Sequence, residues 1–148
     1  EYLRVFLNYG YLDAEYEDFE TDINPNDGIT LIEDASYLTP RSSPENTIGV
    51  GGTVTIPMAN GAAIEIFAKF TRIDERENSL LNLTQARTDE VDDLSASIGY
   101  YTDDWSVVAF GRNLTDERFE VFAPIATLFA AGSVNKPRSY GVEFQYNF

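Results

Sequence analysis

Among the side chains that carry chemistry, this chain has carboxylates and hydroxyls but neither histidine nor cysteine. The commonest general base and metal ligand are therefore missing, and so are thiol nucleophiles and disulfides. The densest carboxylate group is Asp89, Glu90, Asp92 and Asp93. Paired carboxylates can divide acid and base roles, as in glycoside hydrolysis. At the head of a predicted strand and beside a loop, these four read instead as a hydrated rim. Asp22, Asn24, Asn26 and Glu33 occupy the first, third, fifth and twelfth positions of an EF-hand-like calcium loop. However, Asp27 stands where that loop needs glycine, Pro25 fixes its own φ, and no helices flank the segment. A solvated acidic loop is the competing reading. Gly49-Val-Gly-Gly52 precedes a strand pattern rather than a helix, so it is no phosphate cradle. Asn82-Leu-Thr84 and Asn113-Leu-Thr115 fit a glycosylation triplet short enough to recur by chance. No catalytic constellation and no cofactor site is expected, and the chain is not expected to be an enzyme.

Composition narrows the partners. A net charge of −15 over 148 residues and a pI near 4.1 disfavour nucleic acid, whose phosphates need basic contacts. Mean hydropathy is −0.25, and no run approaches the length of a membrane helix. Strands of a membrane barrel alternate, so a low average does not exclude one. Aromatics make up 14%, with nine Tyr and ten Phe, enough for interfacial girdles as well as for a core.

The elements that position these residues are strands. In Arg138–Phe148, Tyr140, Val142, Phe144, Tyr146 and Phe148 point one way and Ser139, Gly141, Glu143, Gln145 and Asn147 the other. Tyr2 to Tyr16 reads as a first strand whose alternation slips near Leu12-Asp13-Ala14, a bulge signal. Ile48, Val50, Gly52, Val54 and Ile56 form the apolar side of a second strand, and Ala62, Ile64, Ile66, Ala68 and Phe70 that of a third. Leu94, Ala96, Ile98 and Tyr100 define a fourth. A fifth, Trp105 to Asn113, has apolar residues on both sides, which leaves its faces open. Asp13 to Asp34 holds nine acidic side chains and no basic one, with Asn-Pro-Asn-Asp-Gly turn chemistry, and reads as a polar loop.

Connections alternate long, short, long, short, long. An up-and-down membrane barrel needs that alternation, with tight turns on the periplasmic side and long loops outside. Six strands are too few, since small single-chain barrels have about eight. The chain opens at Glu1 inside a strand pattern with no signal peptide, so a piece of a longer protein is expected.

Gly111-Arg-Asn-Leu-Thr-Asp-Glu-Arg-Phe119, Lys136-Pro-Arg-Ser-Tyr-Gly141 and a last strand ending in Phe148 resemble the C-terminal end of TonB-dependent outer-membrane receptors. Asn113, Leu114, Asp116, Pro137, Arg138, Tyr140, Gly141 and Phe148 match that pattern position by position, and Tyr11-Leu-Asp-Ala-Glu-Tyr16 resembles the run before an outer loop. The resemblance implies an all-β, antiparallel, up-and-down transmembrane β-barrel, of which residues 1–148 are about six C-terminal strands out of about 22. It implies a Gram-negative outer membrane, with the plug domain and earlier strands outside this chain. It also implies uptake of a scarce nutrient (a ferric siderophore, a cobalamin-like compound or an oligosaccharide), energised by TonB through the plug. The implied partners are membrane lipid and the barrel assembly machinery, with Phe148 as an assembly signal. Tyr37, Arg41, Phe122 and Phe129, on the long loops, are candidates for substrate contact. Two other architectures compete: a soluble β-sandwich binding module with packed apolar faces, and a small outer-membrane enzyme or adhesin with additional strands.

Overall fold

The computed structural model describes residues 2–25, 27–122, 125–126, 129–130 and 133–148. Its main feature is one six-stranded sheet: β1 (Leu3–Tyr11), β2 (Asn46–Pro57), β3 (Ala63–Ile73), β4 (Val91–Tyr101), β5 (Trp105–Arg112) and β6 (Ser139–Tyr146). The strands lie in chain order, each antiparallel to the next. The fold is thus all-β and antiparallel. Among the described residues no helix is long and apolar enough to cross a membrane.

Several boundaries differ from the sequence reading. β1 stops at Tyr11, because its partner strand starts at Asn46 and Tyr11 faces that residue in the last pair. One further bond, from the Leu12 amide to the Glu45 carbonyl at 2.9 Å, closes the ladder. The slip near Leu12 is therefore the strand's exit into the carboxylate run, not a bulge. β5 stops one residue before Asn113, whose φ of +50° turns the chain out of the sheet. The long connections are also less plain than their composition suggests. Short antiparallel ribbons form within them: Glu20–Asp22 with Ile32–Asp34, Arg76–Glu77 with Arg87–Thr88, Glu120–Phe122 with Ser133–Val134, and Ile125–Ala126 with Phe129–Ala130.

Register assigns every side chain to a face, since directly paired residues share one. Leu7, Val50, Phe70 and Leu94 form one cross-strand row, and Leu3, Val54, Ile66, Ile98, Ala109 and Val142 form another. The opposite face carries Arg4, Thr53, Lys69, Ser95, Ser97 and Glu143, with a few rings among them. β5 is resolved by the same means. Trp105, Val107 and Ala109 belong to the apolar face, and Ser106, Val108 and Phe110 to the polar one.

Glycine permits close approach at one point on the polar face. A Cβ on Gly51 would sit 2.7 Å from the Ala68 carbonyl oxygen and press on the Phe6 ring, which lies across it. That ring covers a site no side chain can fill.

The core is unusual in its poverty. Among the described residues the buried apolar ones are Ala35, Ala62, Ala86 and Val91, and no large side chain is fully buried. The bulky apolar residues lie on the sheet's outer surface instead.

Candidate functional site

Three regions stand out on the sheet: its apolar face, the polar cluster at the long-loop end and the corner between β5 and β6. The first is the apolar face. Its side chains are open to the surroundings even at the centre of the sheet, where Ile98 is 52% exposed, and more so on the edge strands, where Leu7 reaches 70% and Val142 72%. Exposed apolar area on this scale marks a surface meant to meet something other than water. At the short-turn end the face closes on aromatic rings. Tyr100 meets Trp105 at 5.5 Å between centroids, Trp105 meets Phe144 at 6.4 Å, and Tyr146 meets Phe148 edge-on at 5.2 Å.

At the long-loop end the same columns turn polar. Tyr9 donates its hydroxyl to the Asn46 side chain at 2.8 Å, and Asn46 donates to Asp74 at 2.7 Å. Arg72 pairs across the strands with Asp92 at 3.2 Å and also with Glu90. The sequence reading missed this cluster, although Arg72 follows Phe70 by two on an otherwise apolar column and marks where that column must leave its apolar surroundings.

The carboxylates singled out in the sequence are therefore split. Asp92 and Asp93 are strand neighbours on opposite faces, Asp92 beside Arg72 and Asp93 beside Thr71. Asp89 and Glu90 line a polar cavity of about 580 Å³ with Thr39, Ser43, Glu45, Asp74 and Glu75, and Arg87 pairs with Glu75 at its margin. The oxygen set of the calcium reading is divided as well. Thr21 pairs with Glu33 and Asp22 with Ile32, so Asp22 and Glu33 sit on opposite faces of a two-stranded ribbon. Asn26 lies outside the described residues. Among the described residues no group of three or more acidic side chains is placed to hold a metal ion.

The carboxylates of this ribbon serve the backbone. Asp22 accepts the Asn24 amide at 3.0 Å, Asp27 the Ile29 amide at 2.8 Å, and Asp34 the Ser36 amide at 2.9 Å. The Ser36 bonds hold the Asp34 carboxyl below its ordinary range. A depressed folded pKa gives a contribution present above the ordinary value of about 3.9 and lost as pH falls through the folded value. Protection of the Ser36 amide, as its exchange rate relative to the intrinsic rate at each pH, is expected to fall in the wild type below about pH 4. Asp34→Asn is expected to remove most of that acid dependence, and an unchanged profile in the variant contradicts the assignment.

The third region is the corner between β5 and β6, where the structure gathers most of the motif residues. Asn113 is 7% exposed and uses both ends of its amide. Its Nδ2 donates to the Glu117 carbonyl at 2.9 Å and to the Lys136 carbonyl at 3.0 Å, while its Oδ1 accepts the Glu117 amide at 3.0 Å. Asp116, also at positive φ, pairs with Arg138 at 3.3 Å. A Cβ on Gly111 would meet the Leu114 and Tyr140 side chains, and one on Gly141 would meet the Phe110 ring. Pro137 precedes the first paired residue of β6, where its missing N–H costs the ladder nothing. One buried amide thus ties the exit of β5 to the start of β6. That leaves no free amide for glycosylation at Asn113, and the Asn82 side chain is likewise bonded to the Thr39 backbone.

Tyr37 and Arg41 are exposed on the long-loop side. Phe122 and Phe129 fall on the short ribbons of the last connection, and their side chains lie outside the described residues. Phe148 follows β6 and is fully exposed beside Tyr146.

No family model, curated protein or solved structure matches this chain.

Proposed function

We propose that residues 1–148 are an arc of a transmembrane β-barrel, the C-terminal part of a TonB-dependent receptor that takes up a scarce nutrient across the outer membrane. The observation carrying this reading is the register: six strands align their apolar residues on one uncovered face and their polar residues on the other. Eleven residues, the length of β3 and β4, rise about 36 Å along a strand and about 26 Å along the axis at a tilt of about 45°. A lipid-facing band is about 25 Å tall. Aromatic rings at the short-turn end and the Asn46–Arg72–Asp92 cluster at the long-loop end suit its two boundaries.

Both edges, β1 and β6, have one partner each among the described residues, as an arc requires of strands awaiting further neighbours. The sandwich reading needs a second sheet over the apolar face, and among the described residues none covers it. Lipid then touches the apolar face, the polar face lines the lumen around the plug, and the long connections lie outside, where substrate arrives. By resemblance to these receptors Phe148, two residues beyond the last paired residue of β6, is the candidate signal for the assembly machinery.

Uptake tests the reading. A host strain lacking the protein is expected to lose accumulation of one labelled nutrient class among ferric siderophores, cobalamin-like compounds and oligosaccharides. Collapse of the proton gradient is expected to abolish the same uptake in the parent strain. Recovery of the protein from the soluble fraction, with uptake of all three unchanged, contradicts it.

A further inference from the structure

The ribbon formed by Glu20–Asp22 and Ile32–Asp34 takes no part in the sheet, in the β5–β6 corner or in the Arg72 cluster. The described residues around its turn are tied by hydrogen bonds. The Asp27 amide donates to the Asn24 carbonyl at 3.1 Å, Asp22 and Asp27 each accept a backbone amide two residues on, and Gly28 supplies the positive φ that closes the turn. A turn fixed in this way presents its side chains in one arrangement. The segment that leaves this turn presents apolar side chains: Ile29, Leu31 and Ile32 are each more than half exposed. Such residues in a loop surrounded by charge mark an interaction surface rather than a solvated tip.

Charge identifies the occupant. Nine carboxylates and no basic residue lie between positions 13 and 34, and among the described residues none of the nine forms an ion pair. On one ribbon face Ile32 lies with Asp22, and Glu20 with Asp34, so an apolar residue is framed by three carboxylates. Among the described residues each ribbon strand has only the other as partner, which leaves two short free edges able to accept an extended chain. We infer that this hairpin binds an extended cationic peptide segment in which basic and apolar residues alternate. Backbone bonds to the ribbon edge would set its register, its apolar side chains would cover Ile32 and the tip, and its lysines or arginines would neutralise the flanking carboxylates. This goes beyond nutrient uptake and does not depend on it.

The test uses the intact protein in zwitterionic lipid nanodiscs and a fluorescent peptide alternating lysine and valine, read by anisotropy against empty nanodiscs. Ile29→Ser/Leu31→Ser/Ile32→Ser and, separately, Glu20→Gln/Asp22→Asn/Asp34→Asn are each expected to weaken binding at least tenfold. An oligolysine peptide of the same charge is expected to bind at least tenfold more weakly than the alternating one. The altered apolar side chains, with Glu20 and Asp34, are exposed, and asparagine at positions 22 and 34 keeps an oxygen to accept the Asn24 and Ser36 amides, so both variants should keep the wild-type circular dichroism. Equal binding by the apolar variant, or by oligolysine, reduces the interaction to non-specific charge attraction and overturns the inference. Equal binding by the carboxylate variant, or no binding at millimolar peptide, does the same. Ile29→Cys is further expected to react with a membrane-impermeant maleimide and to be protected by the peptide. An unreactive thiol means the protein's own chain covers the tip, and the inference fails.

Discussion

Ile98→Arg is expected to destabilise the protein in a bilayer by about 2–4 kcal/mol, the cost of a cationic side chain near the midplane of a barrel's lipid face. Ser97→Arg, one residue away, is expected to cost about 1 kcal/mol or less, in line with an ordinary change at a solvated position. The contrast follows from register. Ile98 lies at mid-height between Ile66 and Ala109 on the apolar face, whereas Ser97 lies between Phe67 and Phe110 on the polar one. Equilibrium urea unfolding of the intact protein in lipid vesicles measures both. Equal losses at the two positions, or a neutral Ile98→Arg, contradict a hydrocarbon-facing surface.

Asn113→Ala is expected to be the other severe change, at about 4 kcal/mol. Its amide makes three close bonds to the backbone, two donated and one accepted, and buried hydrogen bonds are worth about 1 kcal/mol each. Alanine at the residue's φ of +50° adds about 1 kcal/mol of backbone strain. Asn113→Asp keeps the acceptor and tolerates the φ, but it sets a buried carboxylate oxygen against the Glu117 and Lys136 carbonyls that the amide bonded, so a loss at least as large as alanine's is expected. Arg138→Ala removes only a surface pair and should cost about 1 kcal/mol or less. Unfolding midpoints of the three variants give this ranking directly. An Asn113→Ala protein within about 1 kcal/mol of wild type shows that the corner is not held by that amide.

What the sequence discloses depends on whether a feature has a period. In β6 the alternation from Tyr140 to Tyr146 runs unbroken, and the same pattern in β2 gives its apolar side directly. β5 has no such pattern, because Val107, Val108, Ala109 and Phe110 are consecutive apolar residues. Its faces emerge only when Ala109 is found between Ile98 and Val142. The ribbons in the long connections are two or three residues long, too short for any period, so Asp13–Asp34 reads as loop although three of its nine carboxylates bond the backbone of a hairpin. The motif around Asn113 and Pro137 is visible as residues, but the bond that joins them is not. Position 113 reaches the Lys136 carbonyl only once β5 and β6 lie side by side. Arg72 was within reach of sequence reasoning, as a charge on an apolar column, and its partners Glu90 and Asp92 follow from the antiparallel register of β3 and β4.

The chain has no cysteine, so single thiols can be placed at will and spin-labelled. Labels at positions 95 to 100 of β4, in the intact protein reconstituted in lipid, report whether oxygen from the membrane or a water-soluble nickel complex reaches each site. A barrel arc gives opposite phases of period two: oxygen at Ala96, Ile98 and Tyr100, nickel at Ser95, Ser97 and Gly99. If Ala96, Ile98 and Tyr100 are shielded from both probes, those side chains are packed in a dry interior, and neither the membrane-spanning sheet nor the receptor built on it survives.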